Sequence, residues 1–147
     1  MGNQFGTDKI LKNIDQLKGE LPVVLANQAQ NYFTNSWRQQ GWDGEDWKEP
    51  NRRIPGTPEY KYPKKKGLGR RTRATLVQTG RLRRAVSNSI RKATFEKVQL
   101  VVAVPYAKYH NEGEGHMPKR QFMGDSPLLR RKQITTIRQQ VDKIWKV

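Results

Sequence analysis

The segment Val98-Gln99-Leu100-Val101-Val102-Ala103-Val104, followed by Pro105, decides the fold class of this chain. Its even-numbered side chains alternate with a second set that is also mostly apolar, which is the pattern of a strand covered on both faces. Pro105 cannot donate a hydrogen bond to a sheet and therefore ends the strand. We predict a central or covered strand over residues 98–104, a hairpin connection at residues 94–97 and a partner strand near residues 87–92.

Helical spacing lies on both sides of this strand. Over residues 8–38, apolar side chains recur at intervals of three or four, or close multiples of these. Gly19 and Pro22 interrupt the pattern, so it predicts either one kinked helix or two helices, the second with Pro22 in its first turn. Near the other end, the dipeptide Ser126-Pro127 holds the preferred N-cap and first helical residue types and begins a predicted amphipathic helix over residues 126–146.

These elements predict a single α+β domain, which is the natural expectation for a chain of 147 residues. It consists of N-terminal helices, a small antiparallel sheet with a long basic arm, and a C-terminal amphipathic helix. The predicted segments of residues 1–147 are a helical region at 8–38, an extended basic arm at 43–75, a β-hairpin core with motif loops at 76–124, and the C-terminal helix at 126–146.

Composition limits the functions that this chain can have. Lys and Arg number 29 against 13 Asp and Glu, a net charge of +16, which makes an anionic partner the default expectation. Only 34% of the residues are apolar, so the core is thin. The absence of Cys excludes disulfides, thiolate metal sites and Cys nucleophiles. The longest apolar run is far too short to cross a bilayer and the N-terminus lacks a signal pattern, so we expect no membrane contact.

Half of the positive charge lies in one segment. Between Lys48 and Thr75 there are ten basic and two acidic residues, a net charge of +8, together with four of the eight prolines. Such a segment cannot form a core alone: it is either a disordered basic linker or an arm that a partner chain, a nucleic acid or a neighbouring copy holds in place. Predicted contacts of this arm and its root are Trp42, Trp47, Arg52, Arg53, Tyr60, Tyr62, Lys64, Lys65, Lys66, Arg70, Arg71 and Arg73.

Two of these contacts are tryptophans in a polar loop. Trp42 and Trp47 follow Trp37 at five-residue steps, a spacing that does not stay on one helical face. Indole rings in such a loop either cover the edge of a core or anchor an interface. The sequence leaves both alternatives open.

No reactive constellation stands out. The loop from His110 to His116 holds two imidazoles and two carboxylates, but its spacing matches no familiar metal site and its glycines favour a flexible, solvated loop. Asp43 and Asp46 could form a nuclease pair, yet they lack a third acid in a recognisable frame. We predict that the chain is not an enzyme and needs no cofactor, and we keep a metal-dependent nuclease or hydrolase as a third possibility.

Nucleic-acid binding is the main alternative that composition suggests. Basic residues are interleaved with Trp47, Tyr60 and Tyr62, whose rings could stack on bases. No helix-turn-helix, zinc finger or RNA-recognition signature is visible. Composition therefore supports binding through phosphates, without sequence preference.

Three short motifs, in order, resemble a known family. They are Leu76-Val77-Gln78-Thr79-Gly80-Arg81-Leu82, Tyr106-Ala107-Lys108-Tyr109-His110-Asn111-Glu112-Gly113 and Met117-Pro118-Lys119-Arg120-Gln121-Phe122-Met123-Gly124. With the upstream tryptophans and the final helix, this order resembles the virion morphogenesis, or tail completion, proteins of Mu-like and HK97-like tailed phages. The resemblance covers roughly residues 22 to 145.

The resemblance implies an assembly role without a reaction. Such proteins are small α+β components at the head–tail junction or the top of the tail, so we expect a homo-oligomeric ring of six or twelve copies, made in the host cytoplasm and incorporated into the virion. Expected partners are other copies of this chain, portal, adaptor, terminator or tail tube proteins, and packaged DNA through non-specific contacts. The motif residues are expected to be structural: Thr79, Gly80, Leu82, Tyr106, Ala107, His110, Gly113, Pro118, Arg120, Phe122 and Gly124.

Overall fold

The computed structural model describes residues 4–62 and 69–146, which form helices and two small antiparallel two-stranded sheets. This mixed, helix-rich arrangement confirms the predicted α+β class. The chain divides into two compact units: the first combines the segments up to Tyr32, Ser89–Val101 and Asp125 onwards, and the second combines Phe33–Asn88 with Val102–Gly124. None of the described helices has the length and apolar character needed to cross a membrane.

The elements follow one another in short steps after a long first helix. In chain order they are α1 (Gln4–Gln39), β1 (Gly41–Trp42), β2 (Glu45–Asp46), a 3₁₀ turn (Asn51–Arg53), α2 (Pro58–Lys61), α3 (Gly69–Thr72), α4 (Arg81–Ser87), β3 (Ile90–Ala93), β4 (Val98–Leu100), α5 (Ala107–Glu112) and α6 (Pro127–Ile144).

Helix α1 is continuous, and this decides between the two alternatives that the sequence left open. Pro22 lies inside it and is buried. A proline in a helix interior removes one backbone hydrogen bond and costs about 3 kcal/mol. Leu21, Ala26 and Ala29 are buried on either side of this position, so the free energy of burying that face offsets the cost.

In the first unit, α1 and α6 lie side by side in opposite directions. Their contacts run from the Asn13 amide, which donates to the Ile144 carbonyl at 3.1 Å, to the Ser126 hydroxyl, which donates to the Tyr32 hydroxyl at 3.2 Å. The predicted N-cap of α6 is confirmed, because Ser126 Oγ also accepts a 3.0 Å hydrogen bond from the Leu129 amide.

The hairpin of β3 and β4 confirms one prediction and corrects another. Thr94 and Lys97 exchange backbone hydrogen bonds, so residues 94–97 form the predicted connection. The strand predicted over residues 98–104 ends at Leu100, and it is neither central nor covered. It pairs with β3 alone in a two-stranded sheet, and Val98 and Val101 are 37% and 39% exposed.

Aromatic rings form the core of the second unit. The Trp37 ring lies 5.7 Å from the Trp47 ring and 5.0 Å from the Phe122 ring, measured between centroids. The Trp47 indole donates to the Gln121 carbonyl at 2.7 Å, which satisfies its polar atom inside the core. Trp47 is therefore buried, as expected if the tryptophans of this loop cover the edge of a core. Trp42 is half-buried, and its ring centroid lies 5.9 Å from that of Phe33.

The described part of the basic arm is folded into short helical turns rather than extended. Thr57 caps α2 through its hydroxyl, and Pro58 occupies the first helical position. The Arg71 guanidinium lies 4.3 Å from the centre of the Tyr60 ring and its Nε donates to the Tyr60 carbonyl at 3.1 Å. These local bonds hold a segment that has no buried apolar residue in its turns. Lys64, Lys65 and Lys66 lie outside the described residues, as does the Arg70 side chain.

Replacing the central ring of the second unit tests this core. Phe122 is 1% exposed, so Phe122→Ala should lower the free energy of unfolding by about 3–5 kcal/mol, since it removes a ring and leaves a cavity. The free energy of unfolding of Phe122→Leu should lie between those of Phe122→Ala and the wild type. Urea unfolding followed by tryptophan fluorescence measures both. Phe95→Ala is the control: it alters a 62% exposed ring and should change stability by less than about 0.5 kcal/mol. Equal effects at the two positions would contradict the core.

Candidate functional site

The first motif segment positions the start of helix α4. Gly80 stands at its N-cap with φ of +72°, a left-handed conformation that glycine adopts readily. The helix that follows buries Leu82 and Val86. The sequence-predicted pair of Gly80 and Leu82 thus has a structural role, because the glycine sets the direction in which the buried face of α4 begins.

The second and third motif segments are joined by two hydrogen bonds to a side chain and one between backbone groups. Asn111 Oδ1 accepts from the amides of Phe122 and Met123 at 3.0 and 3.1 Å, and the Arg120 amide donates to the His110 carbonyl at 2.8 Å. We call these three bonds the Asn111 bracket. They hold the loop after α5 in a fixed position, so Phe122 enters the core while Arg120 lies beside His110.

The glycine at the end of α5 allows this close approach. Gly113 has φ of +73°, and a Cβ placed on it would lie 2.8 Å from Lys119 Cβ and 2.9 Å from the Lys119 amide nitrogen. A non-glycine residue at this position would therefore adopt an unfavourable backbone conformation and would also clash with the segment at Lys119.

A cavity of about 800 Å³ lies where the three motif segments meet. Its wall includes Thr79, Gly80 and Leu82 from the first segment, Tyr106 and His110 from the second, and Met117 and Arg120 from the third. Four arginines line it, and the described lining contains no acidic residue. We call it the arginine cavity, after Arg52, Arg73, Arg81 and Arg120.

Arg120 is the most buried of these cations. It is 8% exposed, and its Nε and Nη2 donate to the Lys48 carbonyl at 3.0 and 2.9 Å. Burial lowers the pKa of Arg120, against a smaller opposing effect of the Glu49 charge. A guanidinium nevertheless stays charged in proteins, so a neutral carbonyl orients a cation whose charge it does not cancel.

Arg52 ties the basic arm to the wall of the same cavity. Its Nη2 donates to the carbonyls of Arg73 and Ala74 at 2.9 and 3.3 Å. Arg52 and Arg120 also line a second cavity of about 470 Å³, whose wall includes Tyr62, His116 and Pro118. Both cavities therefore lie against residues of the arm and residues of the third motif.

His110 contributes a half-buried ring to the arginine cavity. Its ring stands edge-on to the Tyr106 ring, with 6.1 Å between the ring centroids. Burial lowers the pKa of His110, and the positive charge of Arg120 lowers it further. Its buried Nδ1 has no hydrogen-bond partner among the described residues. Both effects favour the neutral form of the imidazole, which can accept or donate a hydrogen bond.

A lysine pairs with two carboxylates of the loop that was considered for metal binding. Lys108 lies 2.7 Å from a Glu114 carboxylate oxygen and 4.0 Å from a Glu112 oxygen. The hydrogen bond from Lys108 lowers the pKa of Glu114. Within residues 4–62 and 69–146, no three His, Asp or Glu side chains gather as a metal site would require.

The structure brings some predicted site residues together and leaves others apart. Arg52 and Arg73 of the arm join the motif residues at the arginine cavity, whereas Arg53 pairs with Glu49 at 2.7 Å and Tyr62 is largely exposed. Of the other motif residues, Ala107 is buried and Gly124 has φ of +131°. The contacts predicted for the arm with other molecules stay predictions.

Sequence reasoning did not assign a role to Asn111. An Asn side chain near a helix end commonly satisfies backbone amides that have no other partner, and this is the signal that could have singled it out. Its partners lie 11 and 12 residues further along the chain, so spacing alone could not identify them.

Comparisons with known proteins identified no relative of this chain. No protein-family model, curated protein or solved structure matches this chain.

The crowding at Gly113 can be tested against a glycine with the same backbone and open surroundings. Gly115 has φ of +67° and no atom within 4 Å of an added Cβ. Gly115→Ala should cost about 1–2 kcal/mol for the left-handed backbone alone, and Gly113→Ala should cost at least about 1 kcal/mol more, because Lys119 must move. Urea unfolding measures both. Equal losses would show that the two segments do not approach closely at Gly113.

Proposed function

We propose that this chain is a structural assembly protein of a tailed-phage virion. In this proposal it is a tail completion or neck component that acts as a homo-oligomeric ring at the head–tail junction and carries out no reaction. The joining of the motif segments carries the proposal. The Asn111 bracket links residues 106–113 to residues 117–124, and both line one cavity with residues 79–82. Segments that resemble one family in order, and that also contact one another, form a single structural module.

Exposed apolar side chains support an assembly role. Tyr62 in the arm is 78% exposed, and Trp145 after α6 and Leu11 in α1 are also largely exposed. Groups of this size gain free energy when a partner removes them from water. Tryptophan and tyrosine are also enriched at the energetic centres of interfaces. Their exposure fits a protein whose surface is completed by neighbours.

The charge of the chain fits the partners that we propose. Exposed positions of α6 hold Arg130, Arg131, Lys132, Arg138 and Lys143, and the arm adds further cations. Acidic surfaces of portal, adaptor, terminator or tail tube proteins, and the phosphates of DNA passing through a ring, would each compensate this charge.

Sequence-independent nucleic-acid binding is the second candidate. The stacking of Arg71 on Tyr60 favours it, because a planar cation over an aromatic ring resembles the surfaces on which single-stranded bases stack. This candidate predicts tight binding of DNA by the isolated monomer, with a steep loss as salt is raised.

The two candidates differ in oligomeric state and DNA affinity. Light scattering coupled to size exclusion, with negative-stain imaging, should show a closed ring, and fluorescence anisotropy should show only weak, salt-sensitive binding of a duplex. Tyr62→Ala should lower the ring fraction at a given concentration, since it removes an exposed arm contact. Phe95→Ala, at an exposed ring outside the arm, is the control and should not. A monomer that binds duplex tightly at physiological salt would refute the assembly proposal.

A further inference from the structure

We propose that the arginine cavity is a binding site for an acidic peptide segment of a partner protein. In this proposal carboxylates contact the arginines and an apolar side chain of the same segment lies on the apolar wall. The inference rests on the cavity alone and does not require the virion role.

The charge of the cavity points to an anionic ligand. Four arginines line it, and no Asp or Glu does so among the described residues. Arg120 is held in place by two bonds to the Lys48 carbonyl, and its other three N–H groups have no partner among the described residues. A carboxylate would reach a cation that is already oriented and partly desolvated, which is the arrangement in which charge-assisted hydrogen bonds are strong.

The apolar part of the wall distinguishes a peptide from a nucleic acid. Leu76, Val77, Leu82 and Met117 line the cavity together with the arginines. A peptide supplies carboxylates and an apolar side chain within a few residues, which matches the two parts of this wall more closely than the phosphates of a duplex do. The volume of about 800 Å³ lies inside the range of ligand-binding clefts, about 300–1,000 Å³.

The backbone at the apolar wall is held in an uncommon conformation. Leu76 has φ of +57°, which a residue with a branched side chain rarely adopts. Two hydrogen bonds hold it: the Trp37 indole donates to the Leu76 carbonyl at 3.3 Å, and the Thr75 amide donates to Gln40 Oε1 at 2.7 Å. Strain that surrounding bonds maintain is common at ligand sites, because it presents a side chain in a fixed direction.

Arg81 is the residue with which to test the site. It lines the cavity and its side chain is exposed. It is also the first residue of α4, a position where a negatively charged side chain interacts favourably with the helix dipole. Arg81→Glu should therefore fold while it reverses one charge of the cavity. Arg83→Glu is the matched control, because Arg83 is exposed on the same helix and is not part of the cavity wall.

The experiment measures anisotropy of fluorescein-labelled probes with the full chain. The probes are a peptide of alternating acidic residues and leucine, the same peptide with Gln and Asn for the acids, and a DNA duplex. We expect the acidic peptide to bind and the amide peptide not to bind. Arg81→Glu should lower the affinity for the acidic peptide at least about tenfold, whereas Arg83→Glu should change that affinity less than about threefold. Arg81→Gln, which removes the charge without reversing it, should show an intermediate loss.

Three outcomes would overturn the proposal. One is equal weakening of the acidic peptide by Arg81→Glu and Arg83→Glu, which would indicate attraction by net charge alone. Another is equal binding of the amide peptide. The third is a selective loss of duplex binding in Arg81→Glu, which would assign the cavity to nucleic acid. Each can occur whether or not the chain forms a ring, so failure here is distinguishable from failure of the proposed function.

Discussion

The Asn111 bracket is the interaction on which the second unit depends. One amide oxygen accepts from the backbone of Phe122 and Met123, and the adjacent His110 carbonyl accepts from Arg120. These bonds hold the third motif in place, and within it Phe122 is buried against Trp37 while Arg120 reaches the Lys48 carbonyl. The same short loop therefore contributes one residue to the core and one to the arginine cavity.

A chain with few apolar residues must use each of them efficiently. Both core tryptophans do so by burying their rings and donating their indole N–H: Trp37 to Leu76 and Trp47 to Gln121. Polar side chains take over much of the remaining positioning, as Gln40 does for Thr75. Hydrogen bonds of this kind contribute about 0.5–1.5 kcal/mol each and depend on geometry, so the second unit is held by many small contributions around its aromatic cluster.

The sequence predicts the elements whose signals are local. The dipeptide Ser126-Pro127 marks the start of α6, because it holds the preferred N-cap and first helical residue types. The connection at residues 94–97 is predicted from the strand patterns on either side of it. The strand over residues 98–104 was predicted too long and as covered, because alternation of apolar residues is typical of covered strands but does not show that a neighbouring strand or a covering layer exists. The arginine cavity was not predicted, since Arg52, Arg73 and Arg120 come together only through tertiary contacts to carbonyl groups.

Hydrogen exchange at two backbone amides measures the Asn111 bracket most directly. In the wild-type protein the amides of Phe122 and Met123 should exchange at least about a hundredfold more slowly than in an unstructured chain, because Asn111 Oδ1 accepts from both. In Asn111→Ala both should lose this protection, while the amides of helix α6 keep theirs. Rapid exchange of Phe122 and Met123 in the wild type, or protection that survives Asn111→Ala, would contradict the account.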